Sequence, residues 1–273
     1  MNTLRWIVKQ PILLFIWLVS KLKRYTLHEG FTIPHQLEHL FGYYEPETTR
    51  FFKRHIKPGM VVVDAGAKDG YFTLLFSKLV GKTGEVYAFE PDAEAFEILR
   101  KNTAHLSNVE IFPYALSDED GWATWYHVVG AKESHSLIHD PLDAKKTFER
   151  RKVKAVTLDA VVGWKIDYIK MDVEGVEDRV FRGMKRHLKT RPFVVFEYTQ
   201  GYLDSLIEEL ERSGTLYSMS KKGELQPFAN AHYILEGRKE RPDADVPGRL
   251  ANIVYRPGPH FVLSVPSLSA VQC

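Results

Sequence analysis

Val61-Val-Val-Asp64-Ala-Gly66-Ala-Lys-Asp-Gly70-Tyr-Phe-Thr73 decides the fold. Its first three residues form a continuous β-branched run, as expected of a strand buried on both faces. Gly66 and Gly70 then punctuate a bend, and residues 70–80 set Phe72, Leu75, Phe76 and Leu79 on one helical stripe. Strand, glycine bend and helix in direct succession repeat outward from here. Further strands are expected over residues 85–89, 109–112, 167–171, 193–196, 215–220 and 252–255. Helices are expected over 91–102, with Pro91 in the first turn, and over 176–188 and 203–212. Residues 122–129 alternate like an added hairpin strand, and 130–150 read as a polar loop. Such alternation predicts an α/β fold, a Rossmann-like, mostly parallel sheet with helices on both faces. Its ligand crevice lies at the C-terminal ends of the strands.

Upstream, residues 34–56 form a helical lead-in broken near Gly42 and Pro46. Residues 1–30 stand apart as an apolar and basic segment, so the expected division is 1–30, a domain over 31–256 and a tail over 257–273. The apolar run from Pro11 to Val19 is too short to span a bilayer, and Lys21, Lys23 and Arg24 follow where a signal peptide would be cleaved. Trp6 and Trp17 beside cations suit a helix lying in a membrane interface, with residues 1–24 making a peripheral contact. The alternative is packing on the domain, or on a second subunit in a homo-oligomer.

Net charge is +2 over 273 residues, which argues against a nucleic-acid partner. The single cysteine, Cys273, allows no internal disulfide and fits a reducing, cytoplasmic setting, peripheral on a membrane if residues 1–24 bind one.

Chemistry concentrates at the strand tips. A dinucleotide loop reads G-x-G-x-x-G, whereas Gly66 and Gly70 are spaced G-x-x-x-G behind an acid. Asp64 would repel a pyrophosphate but attract the amine of an amino-acid cofactor, whose carboxylate would meet the free N–H groups at the helix start. Glu90, followed by Pro91, ends the second strand, where a carboxylate accepts from two ribose hydroxyls. The segment Tyr114-Ala115-Leu-Ser117-Asp118 follows the third strand, as an adenine-flanking turn or as plain turn chemistry.

Strand four ends in Asp172-Val-Glu174-Gly, and Glu197 follows the fifth strand. Neighbouring carboxylates repel unless a proton or a cation intervenes, so Asp172 and Glu197 are candidate Mg²⁺ ligands. A hydroxyl acceptor needs a base, for which Asp172, Glu174, Glu197 and His135 are the candidates; the alternative is that these acids only cap helices or pair with Lys170 or Arg179.

These blocks resemble the FkbM-type methyltransferase family. The resemblance rests on Asp64-Ala-Gly-Ala-Lys-Asp-Gly-Tyr-Phe-Thr, Phe89-Glu90-Pro91, Ala115-Leu-Ser-Asp118, Thr157-Leu-Asp159 and Ile169-Lys-Met-Asp172-Val-Glu-Gly-Val-Glu177, in order over roughly residues 44–256. Lys68 departs from the small or amide residue usual at its position. The resemblance implies a class I methyltransferase fold with seven strands, the last antiparallel. It also implies S-adenosylmethionine as cofactor and O-methylation of a small molecule, glycan or glycolipid. By the same resemblance Glu45, Asp64, Gly66, Ala67, Gly70, Tyr71, Glu90, Pro91, Ala115, Ser117 and Asp172 would contact the cofactor, with Tyr44 and Glu45 in a covering lead-in. Competing readings are a methyltransferase acting on protein, RNA or a small amine, and a nucleotide-binding oxidoreductase.

Overall fold

The computed structural model describes residues 2–27, 32–128, 148–173, 175–199, 204–227 and 249–257. Three helices lead in: α1 (Asn2–Leu22), α2 (Ile33–Phe41) and α3 (Pro46–His55). The alternating unit follows as β1 (Val61–Ala65), α4 (Tyr71–Val80), β2 (Glu85–Phe89), α5 (Ala93–Thr103) and β3 (Val109–Phe112). A side sheet comes next, with β4 (Tyr114–Leu116), β5 (Gly121–Val128) and β6 (Phe148–Val156). The chain continues through α6 (Leu158–Val161), β7 (Tyr168–Met171), α7 (Glu177–Arg182), α8 (Lys185–Leu188) and β8 (Phe193–Thr199). It closes with α9 (Asp204–Ser213), β9 (Gly214–Met219), β10 (Leu225–Pro227) and β11 (Arg249–Pro257).

The main sheet has eight strands in the order β10-β9-β11-β8-β7-β1-β2-β3. The pairs from β3 through β2, β1 and β7 to β8 are parallel, and β11 runs antiparallel between β8 and β9. This is the expected seven-stranded class I arrangement with one more edge strand, the three-residue β10.

Side-chain alternation sorts the strands onto two cores. Val63, Ala65, Ile169, Met171, Val194 and Phe196 face α7, α8 and α9. Val62, Val86, Tyr168 and Val195 face Phe51 and Phe52 of α3 and Phe72 and Phe76 of α4. Asp64 and Lys170 share the parity of Val62 and Tyr168, so they fall on the second face, where strand tips meet the lead-in.

Three expectations change. Pro91 precedes α5 rather than opening it, because Asp92 is the N-cap and accepts from the N–H groups of Glu94 and Ala95. The helix expected over 176–188 breaks at Gly183, where a Cβ would stand 1.9 Å from the Ser117 carbonyl oxygen. The end of the expected polar loop is strand β6, which pairs with β5 from Phe148 onward. No helix among the described residues is long and apolar enough to cross a membrane.

The lead-in is fastened to the bend after β1. Asn102 accepts from the Thr26 N–H at 2.6 Å and donates to the carbonyls of Thr26 and Asp69. Tyr25 and Asp69 both reach the Nδ1 side of His39, at 3.2 and 3.1 Å. Tyr25, His39, Asp69 and Asn102 are buried. The lead-in segment and the bend therefore pack as one body.

Candidate active site

The site grows out of the bend. Gly66 and Gly70 adopt φ of +78° and +91°, conformations that side chains resist. A Cβ on Gly66 would also lie 1.9 Å from the Asp172 carbonyl oxygen, so the bend and the β7 tip touch through bare backbone. The N–H groups of Gly66 and Ala67 both donate to the Phe89 carbonyl, tying the bend to β2.

Glu90 is 4% exposed at the β2 tip. One carboxylate oxygen accepts from the Lys68 N–H and the other from the Asp92 N–H, each at 2.8 Å. Burial pushes its pKa up to about 7 against the partial compensation of those two bonds. Each oxygen keeps a further lone pair, so two more donors can be accommodated.

Asp64 is buried on the neighbouring strand. Its Oδ2 accepts from Thr73 at 2.6 Å, while Oδ1 is buried with no hydrogen-bond partner. Burial raises its pKa, and the Lys170 ammonium and the Thr73 bond pull the other way. A buried oxygen with no donor suits a ligand that brings one.

Asp172 stands at the β7 tip, one strand over. Its Oδ2 lies 3.2 Å from the Lys68 ammonium and 3.5 Å from the Lys170 ammonium. Lys170 is buried and sits 4.8 Å over the Phe72 ring. Burial alone would discharge it, but the carboxylates of Asp172, Glu45 and Asp64 outweigh that effect and hold its pKa above the usual value. Lys68 therefore spans the cradle, its N–H on Glu90 and its ammonium on Asp172.

The lead-in closes one side. Tyr44 packs against His39, Tyr71 and Phe72, and burial pushes its phenol well above the usual range. Glu45 takes φ of +38° before α3 and lies near enough to Lys170 and Asp64 to influence both. Tyr71 turns its ring into this cluster, with its hydroxyl 3.3 Å from Thr49 Oγ1.

The bend residues, Glu45, Glu90 and Asp172 thus converge. Pro91 adjoins them, half-buried ahead of the Asp92 cap. Ala115 belongs to β4 of the side sheet, and Ser117 follows that strand at the start of the bend over residues 118–120. Ala115 pairs with Ala155, and the Ser117 N–H donates to Val156 while its hydroxyl donates to Asp118. Glu197 lies on β8 directly after Phe196, the partner of Met171. Glu174 and His135 lie outside the described residues.

The Mg²⁺ reading of Asp172 and Glu197 does not fit this donor set. Two ammonium groups within 3.5 Å of one Asp172 oxygen oppose a divalent cation there. Among the described residues no three His, Cys, Asp or Glu side chains form a metal-binding group.

The Lys170 pair with Asp172 is the alternative the sequence offered, whereas two contributors were left unassigned: Thr73, and Asp92, which also holds His127 at 3.1 Å. The Asp92 signal was legible as an N-cap before a helix. Lys170 is held charged first by Asp172, two residues on at the tip of its own strand, and then by Glu45 and Asp64 from other elements.

Comparison with known proteins gives the family. A family model described as the methyltransferase FkbM domain matches residues 64–217. The 2-O-methyltransferase NoeI of Sinorhizobium fredii is 30% identical over 159 residues, covering 52% of this chain and 65% of that one. The chain thus spans just under two thirds of that relative's length. Among solved structures, an FkbM methyltransferase from Methylobacillus flagellatus matches with a TM-score of 0.44 at 16% identity, over 92% of this chain and 59% of that one. An S-adenosylmethionine-dependent O-methyltransferase from Thermotoga maritima matches with a TM-score of 0.42 at 13% identity, over 78% and 64%. The chain belongs to the FkbM methyltransferase family.

Proposed function

We propose that the enzyme methylates a hydroxyl of a sugar, glycan or glycolipid. S-adenosylmethionine supplies a methyl group already activated on a sulfonium, which leaves the protein to hold the acceptor in line and receive its proton. In this reading Glu90 accepts from the two ribose hydroxyls, and the Gly66–Gly70 bend lets backbone approach the nucleoside. Asp64, through its unpartnered oxygen, receives the cofactor's amine. The observation that carries the acceptor reading is Asp172. Its carboxylate stands at the crevice end of β7, charge-balanced by Lys68 and Lys170 and partly open to solvent. A carboxylate so held accepts from sugar hydroxyls and fixes which of them faces the methyl group. The similarity to NoeI, a 2-O-methyltransferase, supports transfer to oxygen.

The candidates for the base are Glu174, Glu197 and His135. Incubating the enzyme with methyl-labelled S-adenosylmethionine and glycan or glycolipid extracts tests the proposal. Label should enter an ether-linked methyl on a sugar, with and without chelator. The Asp172→Asn variant should lose at least about tenfold in rate, as expected when a transition-state contact is removed. Among His135→Ala, Glu174→Gln and Glu197→Gln, the base should flatten the alkaline rise of the rate-pH profile. Label recovered only in amines or protein would overturn the reading.

A further inference from the structure

Helix α1 inverts the usual pattern of a surface helix, which turns its apolar stripe inward and its polar face to water. Among its described side chains, from Lys9 on, the inward contact is narrow: Ile16 is buried with Val19 against Leu37, Leu40 and Leu74. Its outward face is apolar. Leu14, Leu18 and Leu22, successive at i, i+4 and i+8, are 64%, 50% and 77% exposed, and Phe15 and Trp17 beside them are about half exposed. Scattered exposed apolar side chains are ordinary, but a continuous stripe along one helix marks an interaction surface.

Charge identifies the partner. The first 27 residues contain Arg5, Lys9, Lys21, Lys23 and Arg24 and no acid. The Lys21 ammonium lies 5.9 Å over the Trp17 ring, and that of Lys23 lies 5.2 Å over Phe41, itself 46% exposed at the end of α2. Cations thus flank the apolar stripe. Two copies of this chain meeting on this face would oppose like charges, whereas anionic headgroups complement them. Since the helix cannot cross a bilayer, it must lie along one.

We infer that the exposed face of α1 docks on an anionic lipid surface. The docked helix is not a loose tether. The bonds of Tyr25, Thr26, Asn102 and His39 to the bend after β1 make it one body with the cofactor cradle, so docking sets the orientation of the crevice to the membrane. This inference does not depend on which acceptor is methylated.

The test is co-sedimentation of the full chain with vesicles of phosphatidylcholine alone or with about one third phosphatidylglycerol. Binding to the anionic vesicles should be at least about tenfold stronger and should weaken in high salt, as screening requires. The Phe15→Glu/Leu18→Glu and Lys9→Glu/Lys21→Glu double variants should each lose about tenfold or more, while circular dichroism, melting temperature and S-adenosylmethionine binding stay unchanged. No vesicle binding at low salt, or undiminished binding by both variants, would overturn the inference. So would a dimer in analytical ultracentrifugation that Phe15→Glu/Leu18→Glu dissociates without any loss of lipid binding.

Discussion

Glu90 carries the sharpest residue-level expectations, because burial and function pull its proton in opposite directions. Its pKa of about 7 means the free protein holds it half-protonated near neutrality. Between the ordinary carboxylate value of 4.5 and about 7, the folded state binds more protons than the unfolded chain. Stability of the free enzyme therefore falls as pH rises through that window. Ribose hydroxyls donate to the ionised form, so cofactor binding has the opposite slope. Affinity measured by calorimetry should fall about tenfold from pH 8 to pH 6, and the Glu90→Gln variant should lose this difference along with much of its affinity. At Gly66 the constraint is steric. Alanine there meets both a positive φ and a carbonyl oxygen 1.9 Å from its Cβ. Gly66→Ala should cost at least about 2 kcal/mol in urea unfolding and abolish measurable cofactor binding.

At the scale of elements, α5 does more than cover the sheet. Asn102 in its last turn satisfies three backbone groups, two on Thr26 and one on Asp69. Asn102→Ala removes their partner and leaves the buried Asp69 carbonyl unpaired, which should cost about 1–3 kcal/mol and release protection of the Thr26 amide in hydrogen exchange. That coupling was invisible in the sequence, since it joins residues 76 apart. The parallel strands were legible because Val61-Val-Val63 and Tyr168-Ile-Lys-Met171 lie between two covered faces, where burial dictates composition. Strand β6 was not, because Glu149, Arg150, Arg151 and Lys152 look like a solvated loop until β5 pairs with them. The break between α7 and α8 was hidden for a similar reason: Gly183 is needed only because the Ser117 carbonyl packs there. Of the site, Asp64, Gly66, Glu90 and Asp172 were readable from their positions at strand tips. The roles of Lys68 and Lys170 were not, since Lys68 reaches across to Asp172 on another strand and Lys170 gathers Glu45 and Asp64 from other elements as well as Asp172.

At the scale of the whole molecule, the sheet brings three acidic strand tips to one edge, and the lead-in helices close the side beside β1. The bend joins both halves of this arrangement, through Gly66 to β7 and through Asp69 to Asn102 and His39. A basic, apolar-faced helix rides on the same body, so lipid binding and catalysis would share one orientation. The central claim is that S-adenosylmethionine lies over the Gly66–Gly70 bend with its ribose on Glu90. A crystal structure with S-adenosylhomocysteine, the demethylated cofactor, tests this most directly. The ribose hydroxyls are expected within hydrogen-bonding distance of both Glu90 oxygens, with the amino-acid end beside Asp64. Density for the nucleoside at any other place, or a cradle that stays closed by Lys68 at saturating ligand, would contradict it.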